Sequence, residues 1–473
     1  MTGPRVAGSG APPDADEAAH RAGAADAAGP RDPSDAPMTD PHDPVANVRQ
    51  EFSDWRPWLT RGLVLAFAAA AGLVVVAFTW MSERAIAAFE HLSAAAWWAP
   101  LVWTPFVAAV VVWLTRRFAP GAAGSGIPQV MAALEPSVPA NHHGLFVSLK
   151  LSLFKMLATS ASLLGGLSLG REGPSVQIAA GVMHHLRRWL PERTTVNVHG
   201  LLVAGGAAGI AAAFNTPLAG VMFAIEELSR RPEQRSSGLL VAAIVLAGLM
   251  AVSIYGNSTY FGVIRVPMLQ WSLLWPGLLV ALASGLLGGL FARLLIASLS
   301  SGTDRASRLR AQRPVLFAAV CGLAVAVIGI VTAGATYGSG YDTTRRMLDG
   351  EGGTPAVYLV LKFVATWITT WSGVPGGIFA PSLSIGAALG NDVAWLVGYP
   401  NAQALIALGM AGFLAAVTQA PLTSFIIVME MIDGHGMVLS LMACALLASL
   451  ISKLMSPPLY GALAQMQLAR VPR

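Results

Sequence analysis

Charged residues are scarce in this chain, since only 12% of its 473 residues are Asp, Glu, Lys or Arg. A soluble domain carries about 25% charged residues. Hydrophobic residues make up 55% of the chain, so too few polar side chains remain to cover a water-soluble protein of this size. The composition excludes a disordered chain and a coiled coil, and it argues against a soluble enzyme. It favours a membrane protein, whose spanning helices tolerate the abundant Gly and Pro found here.

Cysteine and catalytic motifs are also scarce. Cys321 and Cys444 both lie inside apolar segments, as small buried hydrophobic residues do. The net charge of +5 comes from short Arg clusters between apolar stretches, so no nucleic-acid partner is expected. No nucleotide loop, zinc spacing or Ser/His/Asp set is evident, and we expect neither an enzyme nor a metal or other cofactor. Five histidines are expected at the surface: His142, His143, His184, His185 and His199.

The first part of the chain differs from the rest. Residues 1–45 are rich in Ala, Gly, Pro and Asp, which predicts a disordered tail, and they lack the apolar core of a secretory signal. An amphipathic surface helix is predicted over 47–61, a first membrane span over 62–80 and a second span over 94–114. The loop between the spans would hold Glu83. Arg clusters before the first span and after the second predict a cytoplasmic N-terminus, with either Met1 or Met38 as the start.

An internal repeat organises the remaining residues. With an offset of 207 positions, eight of the 24 residues in 155–178 agree, and an offset of 204 aligns Glu226 with Glu430. Corresponding interrupted segments in two halves indicate a transport site between them. The predicted segments after the tail are a transmembrane domain at 46–465, with repeat halves at about 60–235 and 270–455, and a C-terminal tail at 466–473.

Three segments rich in Gly and Pro interrupt the apolar stretches. Gly permits unusual turns and Pro is favoured in the first turn of a helix, so each segment predicts a chain break followed by a helix N-terminus. Several helix N-termini aimed at one point bind an anion without a buried cation. Simple helix kinks are the alternative interpretation. The segments are Gly124-Ser125-Gly126-Ile127-Pro128, Gly170-Arg171-Glu172-Gly173-Pro174 and Gly376-Gly377-Ile378-Phe379-Ala380-Pro381.

With these three motifs in this order and spacing, residues 50–465 resemble the CLC family of chloride channels and chloride/proton antiporters. The resemblance implies an all-α polytopic membrane protein, built from two inverted structural repeats of tilted, broken helices. It also implies a homodimer with one anion path in each subunit, in a bacterial inner membrane, with both termini cytoplasmic. The paired C-terminal nucleotide-binding domains of many eukaryotic members are not expected, because the chain ends thirteen residues after Tyr460.

The same resemblance implies a chloride site. Chloride would be bound by the Ser125 and Tyr460 hydroxyls and by the backbone N–H groups of Ile378 and Phe379. Ser and Tyr suit this role because each donates a hydrogen bond without bringing a charge. Lys155 would add positive potential along the anion path, or would simply be a snorkelling or internally paired lysine. Relatives that prefer nitrate have Pro at the Ser125 position, so the expected anion is chloride.

Two glutamates are predicted to move protons. A carboxylate at the membrane depth of Glu172 is costly and is by default a functional residue. The resemblance makes Glu172 the gate, which occupies an anion site when deprotonated and swings out when protonated. Glu227, the second acid of the Glu226-Glu227 pair, matches the internal proton-transfer glutamate of the family's antiporters, although adjacent acids also occur at solvated helix ends.

These residues predict a proton-coupled chloride antiporter, with chloride ions, protons and the lipid bilayer as its partners. The first alternative is a passive voltage- or pH-gated chloride channel of the same fold. The second, from another class, is an intramembrane enzyme or an unrelated solute carrier, which would need a catalytic Ser/His or Asp pair in the apolar segments.

Overall fold

A computed structural model describes residues 55–191, 196–229, 237–256, 259–262, 271–300, 302, 304–351, 354 and 357–469. Apart from one isolated bridge, the regular structure of these residues is helical. The first half contains α1 (Trp55–Ala95), α2 (Pro100–Phe118), α3 (Ile127–Leu134), α4 (Leu149–Leu164), α5 (Glu172–His185), α6 (Val198–Phe214), α7 (Pro217–Phe223) and α8 (Ser237–Tyr255). The second half contains α9 (Leu274–Leu299), α10 (Arg305–Gln312), α11 (Pro314–Val331), α12 (Tyr341–Leu348), α13 (Tyr358–Ser372), α14 (Phe379–Val397), α15 (Ala402–Thr418), α16 (Pro421–Met431), α17 (Val438–Met455) and α18 (Leu459–Leu468).

The helices are of two kinds, long apolar helices and shorter ones. Seven stretches of the described chain are long and apolar enough to cross a membrane, and they contain α1, α2, α4, α8, α9, α11 and α17. Of the helices that begin at the three motifs, α3 has 8 residues and α5 has 14, whereas α14 has 19. A span needs about 20 residues, so α3 and α5 are too short to cross the membrane. The predicted all-helical fold with broken helices is confirmed.

α1 corrects the prediction for the start of the domain. One helix of 41 residues runs from Trp55 to Ala95. It joins the end of the predicted surface helix to the first span without a break, and it continues through the predicted loop around Glu83. The loop was predicted from its charges, but the chain contains no Gly or Pro between Gly72 and Pro100 to end the helix. The predicted tail at 1–45 lies outside the described residues.

Two smaller predictions also need correction. α18 continues to Leu468, three residues beyond the predicted end of the domain, because no helix-breaking residue follows Gly461 until Pro472. His143 is buried rather than exposed, and its ring lies 5.8 Å from the ring of His184 between centroids. Both cysteines are buried, as predicted.

Several helices of the first half have an equivalent in the second half. α6 and α15 have equivalent first and last residues at the offset of 204, and α5 and α14 begin at equivalent residues at the offset of 207. A third offset of 214, which is not among those predicted from the sequence, aligns the ends of α3 with those of α12. α6 and α15 form the centre of the molecule, since nearly all their residues are buried.

α7 and α16 show that one half is inverted relative to the other. Glu430, near the end of α16, accepts hydrogen bonds from backbone N–H groups at the start of α7. Glu226, just beyond α7, accepts hydrogen bonds from N–H groups at the start of α16. Two equivalent helices joined end to start in this way run antiparallel. The twofold relation between the halves therefore reverses helix direction.

Candidate functional site

The second and third motifs meet on the twofold axis. The Gly170 N–H donates to Gly377 O at 2.8 Å, and the Gly377 N–H donates to Gly170 O at 2.7 Å. These two glycines are equivalent at the offset of 207, so the pair is symmetric. A Cβ on Gly377 would lie 2.9 Å from the backbone nitrogen of Gly173, so only glycine fits this approach. As a result, α5 and α14 begin side by side.

The first motif joins the same centre. The Gly376 N–H donates to Gly124 O at 3.1 Å, which ties the turn before α3 to the turn before α14. Gly126 has a φ of 111°, and a Cβ there would lie 2.7 Å from Gly173 O. The structure thus brings all three Gly/Pro motifs to one point. α3, α5 and α14 all begin there, so the motifs are not simply separate helix kinks.

Glu172 lies between two of these helix N-termini. It is the first residue of α5 and is fully buried. Its Oε2 accepts a hydrogen bond from the Ala380 N–H in the first turn of α14 at 3.4 Å, while its Oε1 has no hydrogen-bond partner among the described residues. The carboxylate folds back over Gly170, where a Cβ would collide with Oε2. It therefore occupies the place where two helix dipoles favour an anion.

Two buried hydroxyls face the same centre. Ser125 Oγ and the Tyr460 hydroxyl are close enough to interact, but neither makes a hydrogen bond of acceptable geometry within the described chain. Ser125 Oγ lies against Gly173, where a Cβ would collide with it. The Tyr460 ring stacks on Phe379, with centroids 5.9 Å apart and an angle of 21°. A buried hydroxyl without a partner costs about 1–3 kcal/mol, so both are suited to bind a ligand.

Ile378 and Phe379 supply the remaining predicted donors. Ile378 is the N-cap of α14 and Phe379 is its first residue, and both are buried. N–H groups in these positions have no partner within their own helix. The Phe379 ring packs against the Tyr460 ring, which brings the first turn of α14 close to Tyr460. The site therefore presents donors and no full positive charge, which suits an anion that must be released again.

Lys155 and Lys362 are buried equivalents with matching contacts. Lys155 Nζ donates to the carbonyl oxygens of Ala122 at 2.7 Å and Gly124 at 2.6 Å, just before α3. Lys362 Nζ donates to Thr336 O at 3.0 Å and to Gly338 O at 2.9 Å, just before α12. Each lysine thus holds the turn that leads into a short helix. In the first half that turn carries Ser125, one residue beyond Gly124.

Glu226 and Glu227 have different surroundings. The Glu226 carboxylate is occupied at the start of α16 by the N–H groups of Leu422 and Thr423. Glu227 is half-buried, and its charge acts on the Tyr460 hydroxyl. Both residues lie in a π-helical turn, Ala224–Leu228, that extends α7. The structure therefore brings Glu227, rather than Glu226, to the Tyr460 side of the site.

A cavity of about 1150 Å³ leads to the other side of the site. We call it the Arg171 cavity, because Arg171 in its wall directly precedes Glu172. Arg171 pairs with Glu83 at 2.9 Å and contacts the Tyr260 hydroxyl at 3.4 Å. Glu83 is not among the predicted site residues, because its surrounding charges favoured a loop. Ser339 in the cavity wall is not among them either, although Gly338-Ser339-Gly340 repeats the Gly124-Ser125-Gly126 motif.

Comparisons with known proteins agree with this geometry. The protein family whose sequence model matches residues 107–453 is described as voltage gated chloride channel. One relative is the H(+)/Cl(-) exchange transporter ClcA of Klebsiella pneumoniae strain 342, which is 31% identical over 425 residues, covering 85% of this chain and 87% of the relative. The protein of the same name from Salmonella paratyphi A is 29% identical over 424 residues, covering 84% of this chain and 86% of the relative.

Solved structures share the fold. The crystal structure of a slow cyanobacterial Cl⁻/H⁺ antiporter matches with a TM-score of 0.75 and 26% identity, covering 88% of this chain and 99% of that chain. A CLC-type fluoride/proton antiporter matches with a TM-score of 0.69 and 23% identity, covering 85% of this chain and 96% of that chain. The second likeness is evidence of the fold alone. The family resemblance noted in the sequence is confirmed.

Proposed function

This chain belongs to the voltage gated chloride channel family, and from that premise we propose that it is a proton-coupled chloride antiporter. Chloride crosses in one direction and protons in the other, through the point where the three Gly/Pro motifs meet. The observation that carries the proposal is the buried Glu172 carboxylate, held between two helix N-termini beside two unpaired hydroxyls. The relatives that are named exchange transporters favour exchange over passive conduction.

Chloride binds beside Glu172 in this proposal. The Ser125 and Tyr460 hydroxyls and the first N–H groups of α14, from Ile378 and Phe379, donate to the anion. Hydrogen bonds to a charged group are worth about 1.5–3 kcal/mol each, so a few donors compensate much of the hydration that chloride loses. None of these four donors carries a full charge. Lys155 adds positive potential beside Ser125, because its ammonium group holds the carbonyl of the preceding residue, Gly124.

Glu172 couples the two ions by competing with chloride. When it is deprotonated, its carboxylate takes the place of an anion at the starts of α5 and α14. Protonation removes that charge, and the side chain leaves the helix N-termini free for chloride. A bound chloride in turn favours the protonated carboxyl, because two negative charges repel each other. Arg171 and its cavity offer the released side chain a polar surface.

Glu227 passes protons between Glu172 and the solution on the other side. It is half-buried at the end of an apolar segment and lies within electrostatic range of Tyr460. The proton and chloride paths thus coincide around Tyr460 and diverge on the Glu227 side of it. We assign the Glu227 side to the cytoplasm, because Arg230 and Arg231 follow within a few residues and cytoplasmic loops are rich in Arg.

The proposed assembly is a homodimer in a bacterial inner membrane, with one site per subunit and both chain termini in the cytoplasm. α7 and α16 supply part of an isologous contact. Leu218 of α7, Ile225 of the π turn after it and Leu422 of α16 are exposed apolar side chains. Cross-linking in detergent should give a dimer band, and a band of monomer only would contradict the assembly without affecting the site.

Paired flux measurements test the function. Purified protein in liposomes loaded with chloride should take up protons as chloride leaves, even against a proton gradient. Glu172→Gln should still release chloride but take up no protons, since the amide keeps the shape of the side chain and cannot ionise. A wild-type protein that releases chloride without any proton uptake would instead be a passive channel.

A further inference from the structure

Two carboxylates clamp α7 and α16 together at opposite ends. Glu226 accepts from Leu422 N at 3.0 Å with Oε1 and from Thr423 N with Oε2 at 2.6 Å. The equivalent Glu430 accepts from Leu218 N at 3.2 Å and from Ala219 N at 2.7 Å. Each carboxylate thus satisfies two of the free N–H groups at a helix start and faces its positive end. The two clamps are related by the offset of 204.

Beyond the clamps, the symmetry ends. α16 continues as a regular α-helix to Met431, the residue after Glu430, and Met431 is fully buried. After Phe223, the first half instead forms the π turn, closed by a hydrogen bond from the Ser229 N–H to Ala224 O at 2.7 Å. A π turn is rare and often marks a functional position in a helix. It changes the direction of the side chain after Glu226.

This difference places an acid where the other half has an apolar side chain. Glu227 is equivalent to Met431, but it is half-buried and within electrostatic range of Tyr460. Since Glu226 is fixed to the start of α16 through both of its oxygens, the next side chain cannot rotate into that contact. The clamp and the wide turn together hold Glu227 on the Tyr460 side.

We infer that Glu226 is a positioning residue for proton transfer, which it supports by holding Glu227 in place rather than by carrying protons. The inference rests on the proposed function, because Glu227 must be the acid that moves protons. Glu430 makes the same kind of clamp but has no acid next to it. The clamp at Glu430 is therefore a matched control for the mechanical effect of losing two hydrogen bonds.

Two substitutions at Glu226 distinguish a residue that holds Glu227 in place from one that carries protons itself. Glu226→Gln keeps the length and one acceptor oxygen but cannot titrate, whereas Glu226→Asp keeps the acid but is too short for the same contact. If Glu226 positions Glu227, Glu226→Asp should lower proton flux about tenfold more than Glu226→Gln does. Losing one hydrogen bond to a charged group lowers the population of the correctly held conformation by about this factor. Chloride flux should persist in both variants.

The experiment measures the proton-to-chloride ratio in liposomes for wild type, the two Glu226 variants, Glu430→Gln and Glu430→Asp, together with thermal midpoints in detergent. The Glu430 variants should lose stability comparably and keep the wild-type ratio. Retention of coupling in Glu226→Asp with loss in Glu226→Gln would overturn the inference, because Glu226 would then carry the proton. Equal ratios in all variants, or equal losses at Glu226 and Glu430, would also overturn it. A wild type without coupling would instead refute the proposed function.

Discussion

Removing the Ser125 hydroxyl should have opposite effects on the empty and the chloride-bound protein. The hydroxyl is buried without a hydrogen-bond partner in the described chain, so Ser125→Ala removes a group that costs about 1–3 kcal/mol when it is unpaired. The empty variant should be as stable as wild type or more stable. A hydrogen bond to chloride is worth about 1.5–3 kcal/mol, so the variant should bind chloride roughly 10- to 150-fold more weakly.

Thermal unfolding with and without chloride measures both effects. At a chloride concentration of about 100 times the dissociation constant, wild type gains about 2.7 kcal/mol of stability, whereas a variant with tenfold weaker binding gains about 1.4 kcal/mol. Gluconate, a much larger anion than chloride, replaces chloride in the reference sample. Ser339→Ala is the matched control, because Ser339 occupies the equivalent turn but bonds the Tyr341 N–H at 3.3 Å.

Equal stabilisation of wild type and Ser125→Ala by chloride would remove Ser125 from the site. Equal losses in Ser125→Ala and Ser339→Ala would show that the effect is not specific to one turn. Replacement by proline, as in Ser125→Pro, also removes the donor and should shift relative flux from chloride toward nitrate. Unchanged relative fluxes of the two anions would contradict the same assignment.

Three further variants test other parts of the account. Glu172→Gln should abolish the rise of chloride flux as pH falls, because wild type gains flux when protonation frees the anion site; a preserved pH response would show that Glu172 is not the gate. Glu227→Gln should stop proton transport and keep pH-dependent chloride flux, and normal proton pumping would contradict its role. Gly377→Ala should lose about 1–3 kcal/mol of stability, since its Cβ would lie 2.9 Å from Gly173 N. Gly144→Ala, with no atom within 4 Å of its Cβ, should change stability by less than about 0.5 kcal/mol, and equal midpoints for both variants would refute the packing argument.

Composition and local breaks were enough to predict the helical membrane fold. The low content of charged residues indicates a lipid environment, and the Gly and Pro residues of the three motifs mark where α3, α5 and α14 begin, so this signal is local. The course of α1 could not be predicted in the same way. Acids such as Glu83 occur both in loops and in helices, and the partner of Glu83 is Arg171, which lies far away in the sequence.

The repeat was found only where its spacing is constant. Offsets of 207 and 204 cover the second part of each half, but α3 and α12 correspond at 214. The connection after α3 is longer than that after α12, and this difference hides the match between Gly124-Ser125-Gly126 and Gly338-Ser339-Gly340. Allowing a gap there aligns the two turns as well, whereas the lysines that hold them, Lys155 and Lys362, already align at the offset of 207.

The clamps at Glu226 and Glu430 depend on contacts between the halves. The sequence aligns these two acids, but an alignment cannot show that each bonds the start of the other's helix. The π turn could not be predicted from the alignment either. Glu226 and Glu430 align at the same offset of 204 as the starts of α7 and α16, so no inserted residue indicates a wider turn. The clamps arise from contacts between α7 and α16, and both the clamps and the π turn bear on which acid of the pair moves protons.

The central claim is that chloride and protons exchange through one site, and the reversal potential of the purified wild-type protein tests it most directly. Liposomes under a fixed chloride gradient are compared with and without a pH gradient. We predict a reversal potential away from the chloride equilibrium potential that moves further when the pH gradient is applied, because each cycle carries both ions. A reversal potential that stays at the chloride equilibrium value at every pH gradient would contradict the account.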